Sequence, residues 1–104
     1  MNITTTQADG TSLIKVDGDM LITTVAAAKP DLVAGLAAGA EIHLDLGEVG
    51  ECDTAGIQLL LFARASAKAQ GKRFLTVAQS ASFRAALERV GIPGGCFELL
   101  EGTR

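Results

Sequence analysis

The strongest constraint in this sequence is the alternation of short strand-like runs with segments of helical length. Ile42-His43-Leu44-Asp45-Leu46 and Arg73-Phe74-Leu75-Thr76-Val77 read as strands, and the stretches between and around them carry apolar residues at helical spacing. Two strands joined through a helix need a crossover, which favours parallel pairing with a right-handed connection. If each strand lies beside the previous one, every helix falls on the same face of the sheet. The alternation at 42–46 agrees, because it leaves His43 and Asp45 on a face without helices. A sheet covered on both sides would show an unbroken apolar run instead.

The remaining elements follow from local chemistry. Leu13-Ile14-Lys15-Val16 and Asp19-Met20-Leu21-Ile22 flank Asp17-Gly18, a dipeptide suited to a type I′ turn, and this predicts a hairpin ahead of the helices. Thr23 and Thr24 offer N-cap hydroxyls to a first helix running toward Gly39. A proline inside a helix costs about 3 kcal/mol, so Pro30 predicts one loose turn over 25–28 and a regular helix from Lys29 or Pro30. Leu32, Val33 and Leu36 mark the buried side of that helix. Gly47-Glu48-Val49-Gly50-Glu51 reads as an acidic loop, and a second helix begins near Asp53, runs to Gln70 and stops at Gly71. Its first turns, at 57–63, are almost wholly apolar, which makes it the most buried helix. Ser80 or Ser82 caps a third helix with a stripe of Phe83, Ala86, Leu87 and Val90, ended by Gly91 and Pro93. Residues 96–100 form a last weak strand or a short terminal segment. The expected order is β-β-α-β-α-β-α-(β): an α/β chain forming a single domain over 1–104, with a mixed four- to five-stranded sheet and helices mainly on one face.

Composition narrows the function classes. With 48% hydrophobic residues in 104, the chain is not disordered and is long enough to bury about two-thirds of its unfolded surface. It has no Trp or Tyr and four Phe, so no basic patch interleaved with aromatics marks it as a nucleic-acid binder. The segment Met1-Asn2-Ile3-Thr4-Thr5-Thr6 lacks the features of a signal peptide, and no apolar run nears the ~18 residues of a membrane span. A cytoplasmic protein without direct membrane insertion is expected. Cys52 and Cys96 form no CxxC, and with His43 as the sole histidine they cannot complete a zinc site, so no metal or cofactor is expected and both read as small buried hydrophobes. Nucleophile-elbow, Walker and His-Glu-x-x-His motifs are absent, which leaves no phosphate cradle for a nucleotide. Carboxylate pairs at Glu51 and Asp53 or at Asp45 and Glu48 read more simply as solvated acids. The chain is therefore expected not to be an enzyme; a small hydrolase built from Asp45, Asp53 and His43 is the competing possibility. The apolar surface suits either a monomer or a dimer.

Charge is unevenly placed. Residues 1–53 hold nine acids and two bases, and 54–104 hold three acids and seven bases. No Lys or Arg lies between Lys29 and Arg64, and acids at 45, 48, 51 and 53 predict an acidic rim that would steer a basic partner surface.

That rim surrounds the one constellation that stands out, Glu51-Cys52-Asp53-Thr54-Ala55-Gly56-Ile57-Gln58-Leu59-Leu60-Leu61. It reads as a strand end, an acidic loop and a helix start capped by Asp53. A hydroxyl in the first turn sits beside unpaired N–H groups and the positive end of the helix dipole, a setting that tolerates a phosphate. At these residues the chain resembles the STAS domain family, the sulphate-transporter and anti-sigma-factor-antagonist domain. The resemblance extends through Gly18-Asp19-Met20-Leu21-Ile22-Thr23, Leu44-Asp45-Leu46 with Val49, Gly71-Lys72, the strand to Val77, and Phe83 through Leu87 to Gly91-Ile92. It implies a SpoIIAA-like fold and a small non-enzymatic switch protein. In the antagonist branch an Asp-Ser-Ser-Gly type of loop carries a serine that a partner kinase phosphorylates, and the unmodified form binds that anti-sigma kinase. Asp53 and Gly56 match the loop's aspartate and glycine, while Ala55 stands where the phosphoserine is usual. Thr54 is then the only candidate phosphoacceptor in the loop, where a phosphate adds about −1.5 to −2 charges beside Glu51 and Asp53. An unmodified docking role and simple helix capping are the other readings of Thr54. The partner-binding set implied is Glu48, Glu51, Asp53, Thr54, Ala55, Gly56 and Gln58. The Asp-Thr-Ala-Gly-Ile-Gln-Leu-Leu variant looks most like stand-alone STAS proteins that accompany bacterial chemotaxis and two-component modules. It is also similar to the cytosolic STAS subunit of a phospholipid-transport ATPase, whose matching threonine lies at the interface with the ATPase.

Overall fold

Parallel pairing of the middle strands fixes the architecture. The computed structural model describes residues 1–99. Its elements are β1 (Asn2–Ala8), β2 (Thr11–Met20), α1 (Val25–Ala38), β3 (Glu41–Cys52), α2 (Thr54–Ala69), β4 (Arg73–Gln79), α3 (Ala81–Val90) and a 3-10 turn over Gly94–Phe97. The four strands lie in the order β1-β2-β3-β4. β1 is antiparallel to β2, and the β2–β3 and β3–β4 pairs are parallel. The sheet is thus mixed and four-stranded, as the α/β reading expects, and its core face carries Ile14, Val16, Ile42, Leu44, Leu46 and Phe74 against Leu32 and Leu36 of α1, Ile57, Leu60 and Ala63 of α2, and Phe83 and Leu87 of α3. His43 and Asp45 lie half-buried on the opposite face, as the alternation at 42–46 requires.

Three local expectations are overturned. The hairpin turns at Asp9-Gly10, both at positive φ (52° and 82°), and not at Asp17-Gly18. The same Asp-Gly chemistry occurs twice. The run of β-branched residues at Ile3-Thr4-Thr5-Thr6 makes an outer strand, and β2 passes through Gly18, whose φ of 101° accommodates register shifts against β3 on either side of it. Second, α1 begins at Val25 with Pro30 inside it, so there is no loose turn at 25–28. Pro30 is exposed, and the one N–H it lacks leaves the carbonyl of the exposed Ala26 open to water. The Thr24 hydroxyl makes no cap bond and instead folds the preceding turn, accepting from the Leu21 N–H at 2.9 Å. Third, 47–51 is not a loop, because β3 continues to Cys52. Its buried residues change spacing from two to three at Leu46, Val49 and Cys52, as expected where a bulge interrupts the alternation.

Smaller differences concern single side chains. Val33 and Val90 are exposed, lying on the flanks of their helices. Cys52 is buried, whereas Cys96 is only half-buried. The terminal segment forms the 3-10 turn followed by a lone parallel bridge between Thr76 and Leu99; Leu100, also part of the expected last strand, lies outside the described residues. Ser80 caps α3 by accepting from the Phe83 N–H at 3.1 Å, and Gly91 closes it at a φ of 73°.

Candidate functional site

The carboxyl ends of β2 and β3 meet the start of α2, and Asp53 ties them together. One carboxylate oxygen accepts from the Gly56 N–H at 3.1 Å and caps α2. The other accepts from the Ile22 N–H at 2.9 Å in the turn leading to α1. The Asp53 N–H in turn donates to the Met20 carbonyl at 3.1 Å. These backbone donors, that of Ile22 first, hold the Asp53 carboxyl below the usual aspartate range.

Gly56 is buried because the helix start is pressed onto β2. A Cβ there would lie 2.4 Å from the Met20 carbonyl oxygen, 2.8 Å from Met20 Cβ and 3.0 Å from Cys52 Sγ. A second tie runs from Asp19, which accepts from the Glu51 N–H at 2.9 Å, and Gly50 leaves it room, since a Cβ would sit 2.3 Å from that same oxygen. Asp53 and Gly56 are thus committed to the framework. Thr54, at the first helical position, is exposed, as are Glu48, Glu51 and Gln58, while Ala55 is half-buried.

The structure adds neighbours that sequence reasoning missed. Ile22 stands 73% exposed beside Asp53. Arg89 of α3 donates to the Cys52 carbonyl at 3.1 Å and, with Ser82 and Val90, faces Thr54, Glu51 and Asp53 across a cleft of about 530 Å³. A cation therefore enters what charge counting along the chain made a purely acidic rim. The interior position of Leu87 on the α3 stripe could have flagged Arg89, two residues on, only once the packing partner of α3 was known. Burial, and secondarily the Asp53 charge, push the Cys52 thiol up to about 11.

The hydrolase constellation is not assembled. His43 is paired with Glu41 at 2.5 Å on the uncovered sheet face, Asp45 accepts from the Gly47 N–H at 3.0 Å, and Asp53 sits at the helix start. Among the described residues no three His, Cys, Asp or Glu side chains are grouped to hold a metal, and no helix is long and apolar enough to cross a membrane.

The family profile described as "Mlab, STAS domain" matches residues 3–101. The chain belongs to this STAS domain family. Its fold is shared with an anti-sigma factor antagonist from Mycobacterium paratuberculosis (21% identity, TM-score 0.75, covering 96% of this chain and 85% of that one). It is also shared with the Bacillus cell fate determinant SpoIIAA in its phosphorylated form (15% identity, TM-score 0.69, 97% and 93% covered). A sulfate transporter family protein from Wolinella succinogenes is similar too (19% identity, TM-score 0.67, 90% and 81% covered). No curated protein sequence matches the chain. In this STAS domain the motif residues Asp53 and Gly56 are held by contacts to the backbone of other segments, and the exposed Thr54 side chain makes no hydrogen bond among the described residues.

Proposed function

We propose that this STAS domain is a non-enzymatic, cytoplasmic protein-interaction module of the anti-sigma factor antagonist type. It binds a kinase or related signalling protein through the surface at 48–58, and phosphorylation of Thr54 is its switch. One observation carries the reading: Thr54 is exposed on a helix start whose neighbours, Asp53 and Gly56, are locked by three backbone contacts. A free hydroxyl on a fixed platform suits recognition by another protein, and Ile22 and Gln58 extend the exposed surface beside it. A phosphate at Thr54 would add its charge beside Glu51 and Asp53, obstruct a closely packed partner and expel a partner surface that is itself acidic or apolar. The Bacillus neighbour described in a phosphorylated form supports modification as a device within this fold.

The test is capture of partners by wild type, Thr54→Ala and Thr54→Glu, together with intact-mass analysis of the native protein for a phosphate on Thr54. A glutamate at the first turn is compatible with the helix dipole, so Thr54→Glu should fold normally and lose binding. Equal capture by all three proteins would show that Thr54 is not the switch.

A second reading is favoured by the family description itself, Mlab, together with the sequence resemblance to the STAS subunit of a phospholipid-transport ATPase. Here the same surface docks an ATP-binding cassette protein, and Thr54 acts unmodified. Partners recovered from the membrane fraction, and unchanged by phosphatase treatment, would select it.

A further inference from the structure

The two edges of the sheet are finished differently. β4 is covered in part by the terminal segment, through the Thr76–Leu99 bridge and a 2.8 Å bond from the Thr76 N–H to the Glu98 carbonyl. β1 has nothing on its outer side among the described residues. Its sequence, Asn-Ile-Thr-Thr-Thr-Gln-Ala, contains no charge, proline or glycine, and it pairs with β2 from Asn2 to Ala8 without a register shift. Edges are normally blunted by short strands, charges, prolines or bulges, because an open row of N–H and C=O groups templates another strand. β1 has none of these.

Above this edge lies α1, which carries only Lys29 and Asp31 as charges in 14 residues. A helix apolar on all sides is usually covered on all sides. On its β1 flank, Asp31, Ala34 and Ala38 line a groove of about 280 Å³ with Ile3, Thr5 and Gln7. Gly35 places the helix axis: a Cβ there would meet Thr5 Oγ1 at 2.6 Å and Ile14 Cδ1 at 3.0 Å, so α1 runs over the seam between β1 and β2.

We infer that this end of the molecule is a homodimer interface in which β1 pairs antiparallel with β1 of a second copy. Centring the pair on Thr5 engages all seven residues: Asn2 opposite Ala8, Ile3 opposite Gln7, and Thr4 opposite Thr6. The twofold axis then stands perpendicular to one eight-stranded sheet and keeps both helical layers on the same face. Because each α1 lies over a β1–β2 seam, the two α1 axes fall two strand spacings apart, about 9.6 Å at ~4.8 Å per strand. Packed helices lie about 8–10 Å apart, so the small side chains of Ala34 and Ala38 meet across the axis without a gap. An occupant must present an open strand and a small-residue helix at this one offset, and a twofold copy does so by construction. The antiparallel arrangement also keeps the two Asp31 side chains, one per copy, apart from each other. The two Asp53–Thr54 surfaces end up at opposite ends of the joined sheet, both open, so this interface does not depend on the function proposed above.

The test is analytical ultracentrifugation of the full chain from about 1 to about 300 μM, the range of weak to moderate homodimers. Wild type should rise from one chain mass to two with concentration, with at least a tenfold slowing of β1 amide exchange in the dimer. Ala34→Glu, on the β1 flank, should remain one chain mass throughout, while Ala37→Glu, on the outward side of α1, should associate like wild type. Circular dichroism melts would confirm that both variants fold. A wild-type chain that stays monomeric at every concentration, or two variants that associate alike, would overturn the inference; the former result would leave the β1 edge to a strand of another protein.

Discussion

Replacing Gly56 with alanine inserts a methyl group where α2 rests on the end of β2, and the sign of its effect separates two views of this glycine. By helix propensity alone the change should stabilise the chain by about 1 kcal/mol. The structure predicts the opposite. The new Cβ would stand 2.4 Å from the Met20 carbonyl oxygen and 2.8 Å from Met20 Cβ. The oxygen is a backbone atom that already accepts from the Asp53 N–H, so it cannot rotate aside. Overpacking of this kind costs up to about 3 kcal/mol, and subtracting the propensity gain leaves a net destabilisation of about 2 kcal/mol. For a chain of this size that lowers the melting midpoint by roughly 10 °C. Gly35→Ala is the natural comparison, since its closest obstruction is the Thr5 hydroxyl at 2.6 Å, the end of a side chain, and it should cost less. Urea denaturation followed by circular dichroism measures both. A Gly56→Ala protein as stable as wild type would mean that α2 does not press on Met20, and the platform under Thr54 would have to be redrawn.

The other predictions concern neighbouring ties. Asp53 has a lowered folded-state pKa, so its contribution is complete above the unfolded aspartate value and is lost as pH falls through the folded one. The stability gap between wild type and Asp53→Asn should therefore be widest at neutral pH and shrink below about pH 4, and a gap that does not change with pH would refute the tie. Arg89→Ala removes the bond to the Cys52 carbonyl and should cost about 1 kcal/mol in urea titration, partly recovered by Arg89→Lys; no loss would mean that α3 is docked without it. Cys52, buried and with its thiol raised to about 11, should resist iodoacetamide at about pH 8 until the chain unfolds, while the half-buried Cys96 reacts sooner. Mass mapping of the alkylated peptides reads both rates.

Much of this architecture is legible in the sequence because periodicity is a strong signal where elements are long and one-sided. The second and third helices and the strand at 42–46 fall where apolar spacing puts them. The first hairpin is misplaced because Asp-Gly favours positive φ wherever it occurs, and nothing local distinguishes a turn at Asp9-Gly10 from a bulge at Asp17-Gly18. Likewise Pro30 is tolerated inside α1 where the carbonyl it leaves unpaired belongs to an exposed residue, and exposure is a tertiary property. The helix start at Asp53 could be read from its cap chemistry, but Ile22, Asp19 and Arg89 come to it from other elements. Contacts across 31 to 37 residues leave no local trace.

The parallel strands β2, β3 and β4 each feed a helix that starts at the same end of the sheet. Three helix origins, each equivalent to roughly half a positive charge, therefore point toward the end where Asp19, Glu51 and Asp53 collect. Two of these acids are already bonded to backbone N–H groups there, and Arg89 adds a full cation. Asp19 and Asp53 thus act largely as counterions to the fold's own dipoles. For a partner docking at Thr54, as proposed above, the dipoles and Arg89 would offset part of the acidic charge, so shape and apolar contact at the exposed Ile22 should weigh in its association alongside ionic strength.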